Sequence, residues 1–350
     1  MIPWAKYTNG VEVSDSVFRL LARCAPSGTL DVFASDQHSS YLKLTDMYLH
    51  HVGAHRRAHD DDVRTVCRVF AETLGGLSTA GLFNHLAYKS PGFRELLGRN
   101  VLLIGRLEDT QSEVVDGGRG QLARLAIPPE EANHYVDGFK TLVKLDPDHK
   151  SSWEHNLGWL KDIYDRCRKL GKPLFSETLL FQRPGEAKTS FAQRLPEELV
   201  QLAATFAAHG DFYKTQVPLL WVEDGGRIAP ISRTAEIRAC AQKMAAACDR
   251  PMLLLSAAVD FSQYSAQYAL VSDIFAGPMC GRAYFKEAFT DQATTSMGTL
   301  GQSFARIALP RIRQIQELAK AVSPPWWSKY VWIAEEAKTL IDERYPHVQA

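Results

Sequence analysis

The chain has 350 residues, of which 45% are hydrophobic and 23% charged, and its 40 basic residues balance 40 acidic ones. This is the composition of a globular protein that can bury a core without disulfides or a metal, and it gives no sign of nucleic acid or an anionic membrane as partner. The N-terminus lacks the apolar stretch of a signal peptide, no apolar run reaches the roughly 18 residues of a membrane span, and the six cysteines form no CxxC pair. We therefore expect a cytoplasmic protein.

Eight short apolar segments have the pattern of strands. In chain order they are Leu30–Ser35, Ala80–Asn84, Val101–Gly105, Thr141–Leu145, Pro173–Thr178, Asp211–Val217, Pro251–Ser256 and Phe275–Gly281. Helical patterns separate most of them, which indicates parallel strands joined by right-handed crossovers. The count and the length predict an α/β fold, a (β/α)8 TIM barrel. A doubly wound sheet is the alternative, but no GxGxxG or GxxxxGK[ST] motif follows a strand.

Apolar periodicity predicts the helices, which cover Ser14–Cys24, Asp60–Leu74, Ser151–Leu170, Glu197–His209, Thr234–Cys248, Ser262–Asp273 and Ala305–Val322, with Tyr330–Arg344 after a break at Ser323–Trp327. Ser151-x-x-Glu154 has the spacing of a capping box. The predicted organisation is an N-terminal helical extension over residues 1–29, a catalytic barrel over 30–303 and a C-terminal helical extension over 304–350. Trp326 and Trp327 are expected to pack on the barrel, with partner binding as the alternative.

Two lysines close predicted strands: Lys144 in TLVKLDPDHK and Lys214 in DFYKTQVP. The C-terminal ends of barrel strands carry the active site, and an amine desolvated there can attack a carbonyl carbon. The sequence therefore predicts an enzyme that forms a Schiff base with a carbonyl substrate and needs neither a metal nor a cofactor.

Polar side chains collect at the other predicted strand ends as well. They are Asp36, Gln37 and His38 after the first strand, Arg106, Glu108 and Asp109 after the third, Glu177 on the fifth, Gln216 on the sixth, Ser256 on the seventh, and Arg282, directly after Gly281, at the eighth. A carboxylic acid in such a cavity can move protons during catalysis. The loops after the seventh and eighth strands often bind phosphate in these barrels, so a phosphorylated sugar or keto acid is the expected substrate.

Six motifs spread over residues 30–290 carry a family resemblance: FASDQHSS, TLVKLDPD, PLFSETLLF, DFYKTQVP, LLLSAAVD and MCGRAYF. They resemble segments of the class I tagatose-1,6-bisphosphate aldolase family and of its sulfofructose-phosphate and deoxyphosphogluconate aldolase relatives. The resemblance implies Lys214 as the Schiff-base lysine, and it carries over Lys144, Glu177, Asp36, Gln37, Ser256, Gly281 and Arg282. The chain departs from the family at His38, where an arginine is usual, and at Gln216, where a glutamate is usual.

The resulting hypothesis is a class I aldolase that cleaves a phosphorylated ketose into a three-carbon fragment, such as dihydroxyacetone phosphate, and an aldehyde. Lys214 attacks the carbonyl and Lys144 assists it, whereas Glu177, with Asp36 as the alternate, handles proton transfer. The expected substrate contacts are Gln37, His38, Arg106, Gln216, Ser256, Gly281 and Arg282. We also expect a homo-oligomer.

Three alternatives stay open at this point. The chain can be an aldolase for a related substrate, 6-phospho-5-dehydro-2-deoxygluconate or sulfofructose phosphate, or a sugar-phosphate-binding regulator without catalysis. A metal-dependent aldolase is the third, because His50-His51, the HRRAH segment His55–His59 and the DPDH segment offer ligands. Loss of activity in a chelator would favour the metal.

Overall fold

The computed structural model describes residues 5–218, 221–224, 227–230, 232–257 and 259–332. At its centre is a closed barrel of eight parallel strands: β1 (Val32–Ser35), β2 (Ala80–Phe83), β3 (Leu102–Arg106), β4 (Gly138–Leu145), β5 (Leu174–Leu180), β6 (Phe212–Thr215), β7 (Met252–Leu255) and β8 (Gly277–Cys280). Each strand pairs with the next along the chain, and β8 pairs with β1. The predicted (β/α)8 TIM barrel is confirmed, and each predicted strand overlaps one of these eight.

Helices surround the barrel. They are α1 (Asp15–Cys24), α2 (Ser39–His51), α3 (Asp60–Leu74), α4 (His85–Tyr88), α5 (Pro129–Ala132), α6 (Lys150–Lys169), α7 (Lys188–Phe206), α8 (Thr234–Ala247), α9 (Phe261–Val271), α10 (Arg282–Phe285) and α11 (Met297–Val322), with 3-10 turns at Arg94–Leu96, Asp116–Gly118 and Lys286–Thr290. Among the helices of the described residues, none is long and apolar enough to cross a membrane.

Several helix starts differ from the prediction, and α11 begins at Met297, well before the predicted Ala305. The capping box expected at Ser151 and Glu154 is not the cap of α6, because the helix begins earlier and the side chain of His149 accepts a hydrogen bond from the backbone N–H of Ser152. Helix α7 begins before the predicted Glu197, since Pro196 lies inside it rather than at its start.

Three antiparallel pairs of short strands were not predicted. Glu113–Val115 pairs with Gly120–Leu122 between β3 and β4, and Trp221–Asp224 pairs with Arg227–Pro230 after β6. Ala5–Tyr7 pairs with Tyr330–Trp332, so the two ends of the described chain meet. The predicted helical run Tyr330–Arg344 therefore opens as a strand, and its part beyond Trp332 lies outside the described residues.

The terminal segments cover the N-terminal end of the barrel. Trp326 is fully buried, its backbone N–H donates to the carbonyl of Gly28, and its indole N–H donates to the carbonyl of Ala25, each at 2.9 Å. Phe18 and Trp326 belong to the same apolar cluster as the barrel residue Ile104. The tryptophan therefore packs as predicted, and the opposite, C-terminal end of the barrel stays open. The boundaries at 29 and 304 stay predictions.

A buried carboxyl group lies at this closed end. Asp31, directly before β1, has an exposed fraction of 3%, and its Oδ2 accepts a hydrogen bond from Gln316 Nε2 at 2.6 Å. Burial raises the pKa of Asp31 to about 6, although the hydrogen bond from Gln316 and the charge of Lys320 act in the opposite direction. The folded protein therefore binds this proton more tightly than the unfolded chain does.

We expect Asp31→Asn to become progressively more stable than the wild type as the pH rises. Because the pKa of the folded state is the higher one, the wild type loses stability as the pH rises from about 4 through about 6, and the neutral amide does not. The difference in the free energy of unfolding should grow by about 3 kcal/mol between pH 4 and pH 8. Urea unfolding at both pH values measures it. Asp165→Asn, at an exposed position of α6, is the control. A pH-independent difference would contradict the prediction.

Candidate active site

The C-terminal ends of the barrel strands enclose a cavity of about 330 Å³. Its charged lining residues are Asp36, Arg106, Glu108, Lys140, Glu177, Lys214 and Arg282, and its polar ones include Gln37, Thr110, Gln216 and Ser256. In a (β/α)8 barrel the active site lies at this end of the strands. The cavity is therefore the candidate active site.

Two lysines share one carboxylate oxygen at the centre of the cavity. Glu177 Oε2 lies 2.8 Å from Lys140 Nζ and 2.9 Å from Lys214 Nζ. Glu177 on β5 and Lys214 on β6 are direct neighbours in the strand register, so the pairing follows from the barrel itself. All three side chains are buried. Burial alone would raise the pKa of Glu177, but the two lysine charges outweigh it and hold that pKa below its usual value.

Lys140 has three carboxylate neighbours. Its Nζ lies 3.0 Å from Asp36 Oδ2, 2.6 Å from Glu108 Oε1 and 2.8 Å from Glu177 Oε2. Burial would lower the pKa of Lys140, but the three carboxylates outweigh burial and raise it well above its usual value. Lys140 is therefore a permanent ammonium ion in the physiological range of pH.

Asp36 is held as a carboxylate. Its Oδ1 accepts a hydrogen bond from Gln37 Nε2 at 2.8 Å, its Oδ2 accepts one from Lys140, and its backbone carbonyl accepts one from Arg106 Nη1 at 2.6 Å. Burial would raise the pKa of Asp36, but the charges of Lys140, Lys214 and Arg106 outweigh it and keep the pKa well below its ordinary value.

Glu108 is the carboxyl group of the cavity that can change its charge near neutral pH. Burial raises the pKa of Glu108 to about 7, because the charges of Lys140 and Arg106 only partly offset the loss of solvation. Glu108 Oε1 accepts from Lys140, whereas the buried Oε2 has no hydrogen-bond partner among the described residues.

The side of the cavity at β7 and β8 presents a serine, a glycine and an arginine. Ser256, Gly281 and Arg282 all line it. A Cβ atom at Gly281 would lie 2.3 Å from the carbonyl oxygen of Ala34, so the close approach of β8 to β1 requires glycine there. Arg282 Nη1 donates to Ser40 Oγ at 3.0 Å, its one hydrogen bond within the described part of the chain. The remaining guanidinium donors can bind an anion.

Nine of the predicted site residues line the cavity: Lys214, Glu177, Asp36, Gln37, Arg106, Gln216, Ser256, Gly281 and Arg282. The structure does not place Lys144 or His38 among the lining residues. The roles of these nine residues stay predictions. The structure does bring the nine together at one end of the barrel, as expected.

Lys140 takes the place expected for Lys144. Strand β4 begins at Gly138 rather than at the predicted Thr141, so Lys140 lies within the strand. Side chains two residues apart share one face of a strand, and four residues span about 13 Å. Lys140 and Leu142 line the cavity, whereas Lys144 lies farther along the same strand, beyond it. Lys140 was not among the predicted site residues because the predicted strand starts one residue after this lysine.

His38 also lies outside the cavity. The chain turns into α2 directly after it, and its Nε2 lies 2.7 Å from Asp60 Oδ1 at the start of α3. His38 therefore joins the start of α2 to the start of α3, whereas the sequence predicted that it would contact the substrate. Glu108 was recognised at the end of the third strand but received no role, because its unusual pKa depends on burial that the sequence does not reveal.

The histidine segments considered for a metal lie apart from the cavity. His50 and His51 end α2, and His59 precedes α3. Within the described ranges no group of three or more His, Cys, Asp or Glu residues could hold a metal ion. A larger groove of about 740 Å³ lies between α7 and α8, but its charged lining residues are only Glu197, Glu236 and Lys243.

The fold resembles that of solved aldolases. The chain is similar to a fructose-bisphosphate aldolase from Plasmodium falciparum, solved in complex with TRAP and a small-molecule inhibitor, with a TM-score of 0.66 and 10% identity over 92% of this chain and 99% of that one. It is also similar to an archaeal fructose 1,6-bisphosphate aldolase, with a TM-score of 0.53 and 14% identity over 87% of this chain and 98% of that one. No protein-family model and no curated protein matches the sequence. At these identities the likeness shows the barrel fold.

Proposed function

We propose that the chain is a class I aldolase, which forms an imine between Lys214 and the carbonyl carbon of a phosphorylated ketose. The observation that carries this proposal is the pair of buried lysines on one oxygen of Glu177. Because three carboxylates keep Lys140 an ammonium ion, the nucleophile's role falls to Lys214. The shared fold with fructose-bisphosphate aldolases supports the same reaction class.

The proposed reaction begins when Glu177 Oε2 takes a proton from the ammonium group of Lys214 and the resulting amine attacks the carbonyl carbon. The electron pair of the C=O bond moves to oxygen, which takes a proton from the attacking nitrogen and becomes a hydroxyl group. Glu177, in contact with both lysines, then returns a proton to that hydroxyl, and water leaves as the iminium ion forms. The fixed positive charge of Lys140 stabilises negative charge that develops on substrate oxygens.

Carbon–carbon cleavage follows from the iminium ion. The bond between the carbon next to the iminium carbon and the carbinol carbon beyond it breaks. Its electron pair forms the C=C bond of an enamine as the iminium electrons move to nitrogen, and the carbinol becomes an aldehyde as its hydroxyl proton is removed. Protonation of the enamine and hydrolysis of the imine release the three-carbon product and restore Lys214. No oxidant or reductant is needed.

The substrate phosphate is assigned to the side of the cavity at β7 and β8. Arg282 has guanidinium donors that no other described residue accepts from, Ser256 offers a hydroxyl group, and Gly281 lets the backbone come close. In the proposed complex the three-carbon product carries this phosphate, as dihydroxyacetone phosphate would. Because the sequence motifs resemble those of tagatose-1,6-bisphosphate aldolases, tagatose 1,6-bisphosphate is one of the substrates to be tested.

Borohydride trapping tests the proposal. The protein is incubated with dihydroxyacetone phosphate or with a ketose phosphate (fructose 1-phosphate, fructose 1,6-bisphosphate or tagatose 1,6-bisphosphate) and then reduced with borohydride. Mass spectrometry of the intact protein detects an adduct, and peptide mapping locates the modified residue. We expect a substrate-sized adduct on Lys214 that persists in EDTA. The absence of any adduct, together with turnover that EDTA abolishes, would contradict the proposal and favour a metal-dependent aldolase.

A further inference from the structure

Three carboxyl groups line the cavity, and the proposed reaction needs one of them to accept the proton released when the carbon–carbon bond breaks. Asp36 is poorly suited because both of its oxygens already accept hydrogen bonds, from Gln37 and from Lys140. Glu177 Oε2 contacts both lysines, so this oxygen is already engaged beside the nitrogen that forms the imine. Glu108 differs from both because its buried Oε2 has no hydrogen-bond partner among the described residues.

The position of Glu108 in the barrel fits a contact with the aldehyde half of the substrate. In a closed ring of eight strands, β3 lies opposite β7. Glu108 follows β3, whereas Ser256, on the phosphate side, follows β7. A ketose held by its phosphate near β7 and β8 and by its carbonyl carbon on Lys214 of β6 extends across the cavity, so that its carbons beyond the cleaved bond approach β3.

We propose that Glu108 is the catalytic base that removes the hydroxyl proton during carbon–carbon cleavage. This inference rests on the proposed aldolase function and adds a residue to it. The O–H bond of the carbinol breaks and its proton passes to Glu108 Oε2. The carbinol oxygen forms the C=O bond of the aldehyde, and the electrons of the broken C–C bond enter the iminium. In the condensation direction protonated Glu108 returns the proton to the aldehyde oxygen.

The charges around Glu108 suit both directions of this transfer. The groups that face it are Lys140 on β4, Arg106 on β3 and Asp36 after β1, two cations and one anion. With its pKa near 7, the carboxyl group is present in both forms at neutral pH, as a reversible proton acceptor must be. The cleavage rate should rise with pH through about 7, because the base must be ionised.

The test separates proton transfer at the carbinol from the chemistry of the imine. In D2O the protons on the hydroxymethyl carbon of dihydroxyacetone phosphate exchange for deuterium, and NMR measures the rate of this exchange. The exchange requires the imine and the enamine but no carbinol base. Cleavage of fructose 1-phosphate, fructose 1,6-bisphosphate or tagatose 1,6-bisphosphate requires the imine, the enamine and the carbinol base. Both reactions are compared in the wild type, in Glu108→Gln and in Asp109→Asn. Asp109 is the matched control because it pairs with Arg124 at 3.2 Å and does not line the cavity.

We expect Glu108→Gln to lower the kcat of cleavage by about 10²- to 10³-fold and to remove its rise with pH, while exchange changes less than about threefold. Asp109→Asn should match the wild type in both reactions. Cleavage by Glu108→Gln at the wild-type rate, or an equal loss of cleavage and exchange, would overturn the role of Glu108 and leave the aldolase proposal intact. A wild type that does not exchange, or that cleaves none of the three ketoses, would contradict the proposed function, and this inference with it.

Discussion

Lys214→Met should reduce turnover by at least about 10⁴-fold and abolish the borohydride-trapped adduct, while the protein stays folded. Methionine has nearly the length of lysine but no amine, so no imine can form, and removal of a nucleophile typically has an effect of this size or larger. Steady-state kinetics on the best substrate of the panel and intact mass after reduction measure the two effects. An adduct that persists on another lysine would contradict the assignment of the nucleophile.

The fold should tolerate this change because Glu177 keeps its second partner. Lys140 Nζ remains 2.8 Å from Glu177 Oε2 when Lys214 is lost. The loss of stability should therefore be smaller than the roughly 3–5 kcal/mol that follows when an isolated buried ion pair loses one partner. Urea unfolding checks this point, and it separates loss of chemistry from loss of structure.

Lys140→Met should lose both activity and stability. The substitution leaves Asp36, Glu108 and Glu177 buried around an apolar side chain, and Glu108 then has no hydrogen-bond partner for either oxygen among the described residues. Removing the shared cation should lower the free energy of unfolding by about 3–5 kcal/mol at pH 8. The loss should be smaller at pH 5, because carboxylates without their cation have raised pKa values and take up protons in the folded state.

Lys144→Met is the matched comparison for Lys140→Met. Lys144 is the lysine that the sequence predicts to assist catalysis, whereas the structure places Lys140 on the cavity wall and Lys144 beyond it. The same chemical change four residues apart on β4 should therefore have very different results, with near wild-type kinetics and urea midpoint for Lys144→Met. If Lys144→Met loses activity and Lys140→Met keeps it, the arrangement of the site described above is contradicted.

The barrel was predictable because its strands and helices repeat a strong local pattern. Eight apolar segments, most of them followed by polar residues, indicated both the fold and the end of the barrel that carries the site. The register then brings Glu177 on β5 beside Lys214 on β6, whereas the sequence predicted only that both residues lie at the same end of the barrel. The short hairpins were missed because strands of three or four residues leave little periodicity to detect.

The amino-acid sequence by itself determined the barrel, the two strands that carry Glu177 and Lys214, and the set of polar residues available at the strand ends, because alternation and strand length are local properties. Only the tertiary structure decided that Lys140 rather than Lys144 meets Glu177, that His38 contacts Asp60 instead of the cavity, and that Glu108 has a pKa near neutrality. These outcomes depend on where a strand begins, on how far its side chains extend past the cavity, and on burial. Each is set by the packing of distant segments rather than by neighbours in the chain.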